Sequence, residues 1–124
     1  MNKTEGNYLI INENGESKTI DLDKKIKWEI GRKTPDSKPD IMLSTQTVSR
    51  MHGVLINISD VWFYYDKKRK NSTFINGSPI KPGIGGRIRP VMLSDGDEII
   101  LGGGKKAELN EKTVLLKYCR RTES

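Results

Sequence analysis

Three dipeptides, Asn14-Gly15, Asn76-Gly77 and Asp95-Gly96, punctuate this chain between short apolar-rich segments. Asn, Asp and Gly accept the positive φ that a tight turn between two strands demands. The segments they separate are brief: Tyr8 to Asn12, Lys18 to Leu22, Ile26 to Ile30, Asp40 to Leu43, His52 to Ile58, Val61 to Tyr65, Thr73 to Ile75, Ser78 to Ile80, Arg87 to Leu93, Glu98 to Leu101 and Thr113 to Tyr118. No stretch sustains the apolar period of about 3.6 residues that a helix needs. Many short strands at roughly 8–12-residue spacing, with Gly, Asn and Asp between them, predict an all-β sandwich or barrel.

The size of the chain fits one such unit. Its 124 residues bury a sizeable core as a single domain. We expect that domain over residues 7–119, with loose tails at 1–6 and 120–124. No apolar run approaches the roughly 20 residues of a membrane span. The polar start, Met1 to Gly6, has no signal-peptide core. The single cysteine, Cys119, permits no internal disulfide, which fits a cytoplasmic setting, and it excludes a multi-cysteine metal site. Neither a metal nor another cofactor is expected.

The formal net charge of +6 points to an anionic partner. Phosphate on a peptide, nucleic acid and a membrane surface each fit the charge, although no membrane partner is expected. The basic residues cluster at Arg32-Lys33, Arg50, Lys67-Lys68-Arg69-Lys70, and Arg87 with Arg89.

Catalysis is not expected. A nucleophile needs a base in contact with it, and the chain has one histidine, His52. In the strand that follows, His52 shares its period-two alternation with Val54, Ile56 and Ile58, an apolar set, so the ring is expected to face inward. Gly102-Gly103-Gly104-Lys105-Lys106 lacks the Lys-Ser/Thr ending of a phosphate loop, and no helical pattern follows it. The acidic cluster Asp95, Asp97 and Glu98 offers metal-ligand chemistry in principle, but a turn-forming role for Asp95-Gly96 is the expected one. Ser49 and Arg50, just before the strand, read as site candidates at an exposed end of the sheet, with His52 as a brace beneath them.

Five motifs recur in order: Gly31-Arg32, Asp40-Ile41, Ser49-Arg50-Met51-His52, Asn71-Ser72-Thr73-Phe74-Ile75-Asn76-Gly77 and Asp95-Gly96-Asp97-Glu98-Ile99. Together they resemble a forkhead-associated (FHA) domain over nearly the whole chain, Tyr8 to Tyr118. The resemblance implies an eleven-stranded two-sheet β-sandwich that binds phosphothreonine peptides in Ser/Thr kinase signalling. It assigns Arg32 and Ser49 to the phosphate, with Lys70 and Arg50 as further phosphate candidates. It assigns Asn71 to the peptide backbone, Asn76 to steadying its turn or to the peptide downstream of the phosphothreonine, Thr47 to the peptide, and Gly31 and His52 to structural support. The chain departs from the family at Ser72, where the pattern usually has Gly.

Alternatives stand beside these roles. Arg32 read alone is a surface arginine paired with Glu29 or Asp40. Ser49 doubles as a capping hydroxyl, and Asn71 as a turn residue. Two other functions remain open. One is a basic nucleic-acid binder using Lys67 to Lys70, Arg87 and Arg89, with Trp62, Phe63, Tyr64 and Tyr65 as the only aromatic cluster. The other is an FHA-fold scaffold that assembles proteins without phosphate.

Overall fold

The computed structural model describes residues 6–67, 73–80, 87–103 and 110–121. Among them are eleven strands: β1 (Gly6–Glu13), β2 (Glu16–Asp21), β3 (Lys27–Arg32), β4 (Ile41–Leu43), β5 (Gly53–Ile58), β6 (Val61–Asp66), β7 (Thr73–Ile75), β8 (Ser78–Pro79), β9 (Val91–Met92), β10 (Glu98–Gly102) and β11 (Thr113–Arg121). One 3-10 turn, Leu22–Lys24, follows β2. The strands form two sheets, ordered β2-β1-β11-β10-β7-β8 and β4-β3-β5-β6-β9. The expected two-sheet sandwich is therefore the fold.

Period-two alternation builds the core between the sheets. Leu9 and Ile11 of β1 lie opposite Tyr118 and Leu116 of β11, and all four are buried. From the smaller sheet, Trp28 and Ile30 of β3, Leu55 of β5, and Trp62 and Tyr64 of β6 join the same cluster. Fully burying one such large apolar side chain contributes about 1.5–3 kcal/mol. Val48, in the connection between β4 and β5, is also in the cluster and pins that loop to the sandwich.

Two turns match their sequence signals closely. Asn14 and Gly15 have φ of 56° and 80°, and Asn76 and Gly77 have 51° and 85°, so both pairs are two-residue hairpin turns. Asp95-Gly96 also turns, with Gly96 at φ 89°. There, however, the chain leaves one sheet for the other, because β9 pairs with β6 and β10 with β7 and β11.

Three local expectations need correction. The strand expected over Arg87 to Leu93 shrinks to Val91–Met92, and Arg87 to Pro90 are exposed. Pro90 has no N–H to give a neighbouring strand. Arg120 and Arg121, expected in a loose tail, are the last residues of β11, and the Arg120 N–H donates to Asp95 at 2.8 Å. The face of β5 that enters the core also differs from the expected one. Leu55, opposite Trp28 and Tyr64, faces the core. Val54, Ile56 and Ile58 occupy the outer face, where Ile58 is 49% exposed. His52 is buried all the same, because it precedes β5 and the strand's alternation does not govern it.

Candidate functional site

The loop from Ser44 to His52 joins β4 to β5 at one end of the sandwich. One backbone bond closes it internally and three stitch it to its neighbours. Val48 N–H donates to the Thr45 carbonyl at 3.1 Å, which closes a turn. Arg32 N–H donates to the Ser49 carbonyl and His52 N–H to the Ile30 carbonyl, each at 3.0 Å. The His52 carbonyl accepts from Lys67 N–H at 3.0 Å, which ties in the start of the β6–β7 connection.

Gly31 allows this closeness. Trp28 and Ile30 face the core, so Glu29 and Gly31 point to the outer face of β3. The Arg50 carbonyl crosses that face directly over Gly31, and any Cβ there would collide with it. Arg32 falls on the opposite side of the strand, in step with Ile30, at the open end of the sandwich. Its Nε donates to the Val48 carbonyl at 3.1 Å, which lays the guanidinium alongside Val48 and Ser49.

Among the described residues no carboxylate holds this arginine. Among the described residues the ion pairs are Lys25–Asp40 at 2.5 Å, Lys67–Glu29 at 3.1 Å and Arg120–Asp60 at 3.4 Å. Glu29 and Asp40, the two carboxylates that a purely surface role for Arg32 would use, are thus engaged by lysines. Partial burial pushes the Asp40 carboxyl up, but the Glu29 N–H and the Lys25 ammonium outweigh it and hold Asp40 below the ordinary 3.8.

His52 organises what lies beneath. Ser49 N–H donates to His52 Nδ1 at 3.1 Å. A backbone N–H can only donate, so Nδ1 is bare and the ring proton sits on Nε2. Nε2 donates to Thr73 Oγ1 at 2.9 Å, the Thr73 hydroxyl donates to Asp66 Oδ1 at 2.6 Å, and Tyr64 donates to the same oxygen at 2.8 Å. The series links the Ser49 loop, the first residue of β7 and the last residue of β6. Burial raises the Asp66 carboxyl above 3.8, partly offset by the two hydroxyls. Burial, then the Asp66 charge, raises the Tyr64 phenol well above 10.

The remaining sequence candidates divide. Lys70 and Asn71 lie outside the described residues. The Thr47 hydroxyl donates to the Lys112 carbonyl, so it braces the loop against the start of β11. Asn76 sits about 10 Å along β7 from Thr73, at the other end of that strand. Its Oδ1 accepts from Glu98 N–H at 2.9 Å and its Nδ2 donates to Asp97 at 3.0 Å, which locks the β7–β8 turn to the start of β10. Arg50 is exposed and lines a separate cavity on the outer face with Glu29 and Lys67. Of the aromatic cluster that a nucleic-acid platform would need, Trp62 and Tyr64 are buried in the core.

Sequence reasoning missed Glu13. Its Oε2 accepts from Ser44 N–H and Thr45 N–H, both at 2.8 Å, and from the Thr45 hydroxyl at 2.6 Å. This carboxylate anchors the front of the Ser49 loop to β1. Its partners stand 31 and 32 residues away, and a glutamate beside a hairpin turn carries no signal of them.

Comparison with known proteins agrees with this architecture. The family model described as the FHA domain matches residues 28–102. No curated protein matches the chain. Among solved structures, the Slr1951 protein of Synechocystis sp. is similar at 25% identity, with a TM-score of 0.67, covering 94% of this chain and 99% of that one. The FHA domain of CT664 from Chlamydia trachomatis is 21% identical, with a TM-score of 0.68, covering 92% and 96%. The FhaA FHA domain, solved in complex with the intracellular domain of Rv3910, is 22% identical, with a TM-score of 0.62, covering 90% and 99%. With its motifs, its two-sheet sandwich and a family match over more than half its length, the chain belongs to the FHA-domain family.

Proposed function

We propose that this chain is a phosphothreonine-dependent peptide-binding module that acts downstream of a Ser/Thr protein kinase. The observation that carries the reading is Arg32: a guanidinium fixed through Nε to the Val48 carbonyl, beside Ser49, with no carboxylate partner among the described residues. A phosphate dianion is recognised by such an oriented guanidinium together with a hydroxyl donor, and charge-assisted bonds of this kind are about twice as strong as neutral ones.

In this reading Arg32 and the Ser49 hydroxyl hold the phosphate. Ser49 N–H is turned away to His52. Lys70 adds a charge, and Asn71 holds the peptide backbone, both from the loop that follows β6. Gly31 and His52 shape the site without touching the ligand. The FhaA FHA domain, similar in fold, was solved with a protein partner, which supports a protein ligand for this chain too.

The test is a pair of otherwise identical peptides, one phosphorylated on threonine and one not, titrated in moderate salt. Binding of the phosphorylated peptide alone is expected. Equal binding of both would favour a scaffold that works without phosphate. Binding of neither, with retention of single-stranded nucleic acid, would favour the basic residues as a nucleic-acid surface.

A further inference from the structure

The two faces that the sandwich turns to solvent are not alike. Among the described residues six large apolar side chains are exposed: Ile26, Met42, Met51, Ile58, Ile88 and Met92. All six belong to the smaller sheet or to the connections that enter it, and none to the larger. Strand register builds a strip from two of them. Ile56 of β5 lies opposite Phe63 of β6, Phe63 lies opposite Met92 of β9, and Ile58 lies opposite Val61. Their neighbours Leu55, Trp62 and Tyr64 fill the core, so these five side chains share the outer face. Met92 is 60% exposed, and Ile56, Val61 and Phe63 are half-buried. On the larger sheet a matching row runs Thr19, Ile10, Lys117, Glu98, which is mostly polar.

Charge brackets the strip. On its β3 side Lys27 stands opposite Ile56. On its β9 side the exposed Arg87-Ile88-Arg89-Pro90 leads into Val91. Lys27, Arg87 and Arg89 have no ion-pair partner among the described residues, whereas the carboxylates Glu29, Asp40 and Asp60 are paired with Lys67, Lys25 and Arg120. A contact between two copies related by a two-fold axis sets a patch against itself, and here it would set these cations against their own kind. A partner with an acidic rim complements them. From β3 to β9 is three strand spacings, about 14 Å, enough to seat one helix of about 10–12 Å diameter. Pro90 has no N–H to offer beside the two-residue β9, so the sheet presents its face rather than this edge.

We infer that this strip docks an amphipathic helix of a partner protein, apolar along one side and flanked by Asp or Glu. Lys27 is the first residue of β3 and Arg32 the last, about 17 Å apart. Helix and phosphothreonine peptide therefore occupy the chain together, and helix docking needs no phosphate.

The probe is a synthetic peptide of about fifteen residues, the length at which an isolated helix becomes viable. It carries Leu at the first and fourth positions of each heptad and Glu on both flanks. A control peptide has Lys in place of Glu. Each is titrated against the full chain by calorimetry, and amide NMR shifts map the contact. The acidic peptide should bind about tenfold tighter than the control and shift amides of β3, β5, β6 and β9. Ile58→Gln and Met92→Gln alter exposed positions and leave the core intact, and each should weaken binding about fivefold. Lys27→Gln should weaken it about two- to fivefold, and Arg32→Ala not at all. No binding of the acidic peptide, equal binding of both peptides, or unchanged affinity in both the Ile58 and Met92 variants overturns the inference. Loss of binding in Arg32→Ala also overturns it, by moving the peptide to the phosphate end. Sedimentation of the free chain should show a monomer. A dimer that Met92→Gln dissociates would make the strip a contact between copies, and retention on anionic phospholipid vesicles that Met92→Gln abolishes would make it a lipid surface; either result overturns the helix.

Discussion

Ser49 N–H donates to His52 Nδ1 at 3.1 Å, and this one bond commits the imidazole to a single tautomer. With its proton on Nε2, the ring passes the constraint on to Thr73 at 2.9 Å, and Thr73 passes it to Asp66 at 2.6 Å. Three chain segments that converge at one end of the sandwich are therefore held in register by a buried polar series. Such a series rigidifies when every member is satisfied and is costly when one is lost.

Replacing His52 with alanine leaves Ser49 N–H and the Thr73 hydroxyl without their ring partner and opens a void under the loop. A loss of about 1–3 kcal/mol from the unsatisfied groups is expected, with a further cavity contribution. Thermal unfolding should show a melting temperature lower by several degrees, and phosphopeptide affinity should fall with it. An unchanged melting temperature would remove His52 from its bracing role.

Arg32→Ala should abolish phosphopeptide binding and leave the melting temperature nearly unchanged. Loss of one partner from a desolvated, hydrogen-bonded charge pair costs about 2–5 kcal/mol of affinity. The fold loses only the bond from Nε to the Val48 carbonyl. Arg32→Lys should also bind poorly, because an ammonium lacks the planar fork. Calorimetric affinity within twofold of the parent for Arg32→Ala would refute the assignment.

Gly31→Ala places a methyl group where the Arg50 carbonyl lies. The clash is with backbone, which has no rotamer to yield, so the loop must lift from β3 and strain the bond from Arg32 N–H to Ser49. Overpacking of this kind costs about 1–3 kcal/mol. Chemical denaturation should register that loss, and affinity should drop although no ligand contact has been removed.

Asp66 gives a pH signature. Burial raises its carboxyl above the ordinary 3.8 in the folded state, so between 3.8 and that raised value the folded chain binds more protons than the unfolded one. The Asp66 contribution to stability therefore falls as pH rises through this window. Asp66→Asn keeps an oxygen in place for Thr73 and Tyr64 and removes the titration. Melting temperatures of parent and variant at pH 4 and pH 7 should show the variant gaining relative to the parent at the higher pH. A difference that does not change with pH would refute the account.

Local chemistry in the sequence determined the architecture. Asn14-Gly15 and Asn76-Gly77 dictate tight turns because few other residues accept positive φ cheaply, and the period-two burial of Leu9 with Ile11, and of Val114 with Leu116 and Tyr118, follows from pleat geometry. The motif residues Arg32, Ser49 and His52 were legible for the same reason, since each belongs to a short contiguous pattern. Only the tertiary structure decided their surroundings. Glu13 reaches Ser44 and Thr45 across more than thirty residues, and Asp66 is linked to His52 through Thr73 on the opposite sheet. Asn76, in the same motif as Asn71, proved to be a clamp on Glu98 at the other end of β7. Arg50 and Arg32 are both basic residues of neighbouring motifs, and no sequence pattern separates them. The packing of β3 does, by putting Gly31 under the Arg50 carbonyl and Arg32 on the other face: alternation separates neighbours on any strand, but which face the β4–β5 loop covers is fixed only when the sheet is assembled.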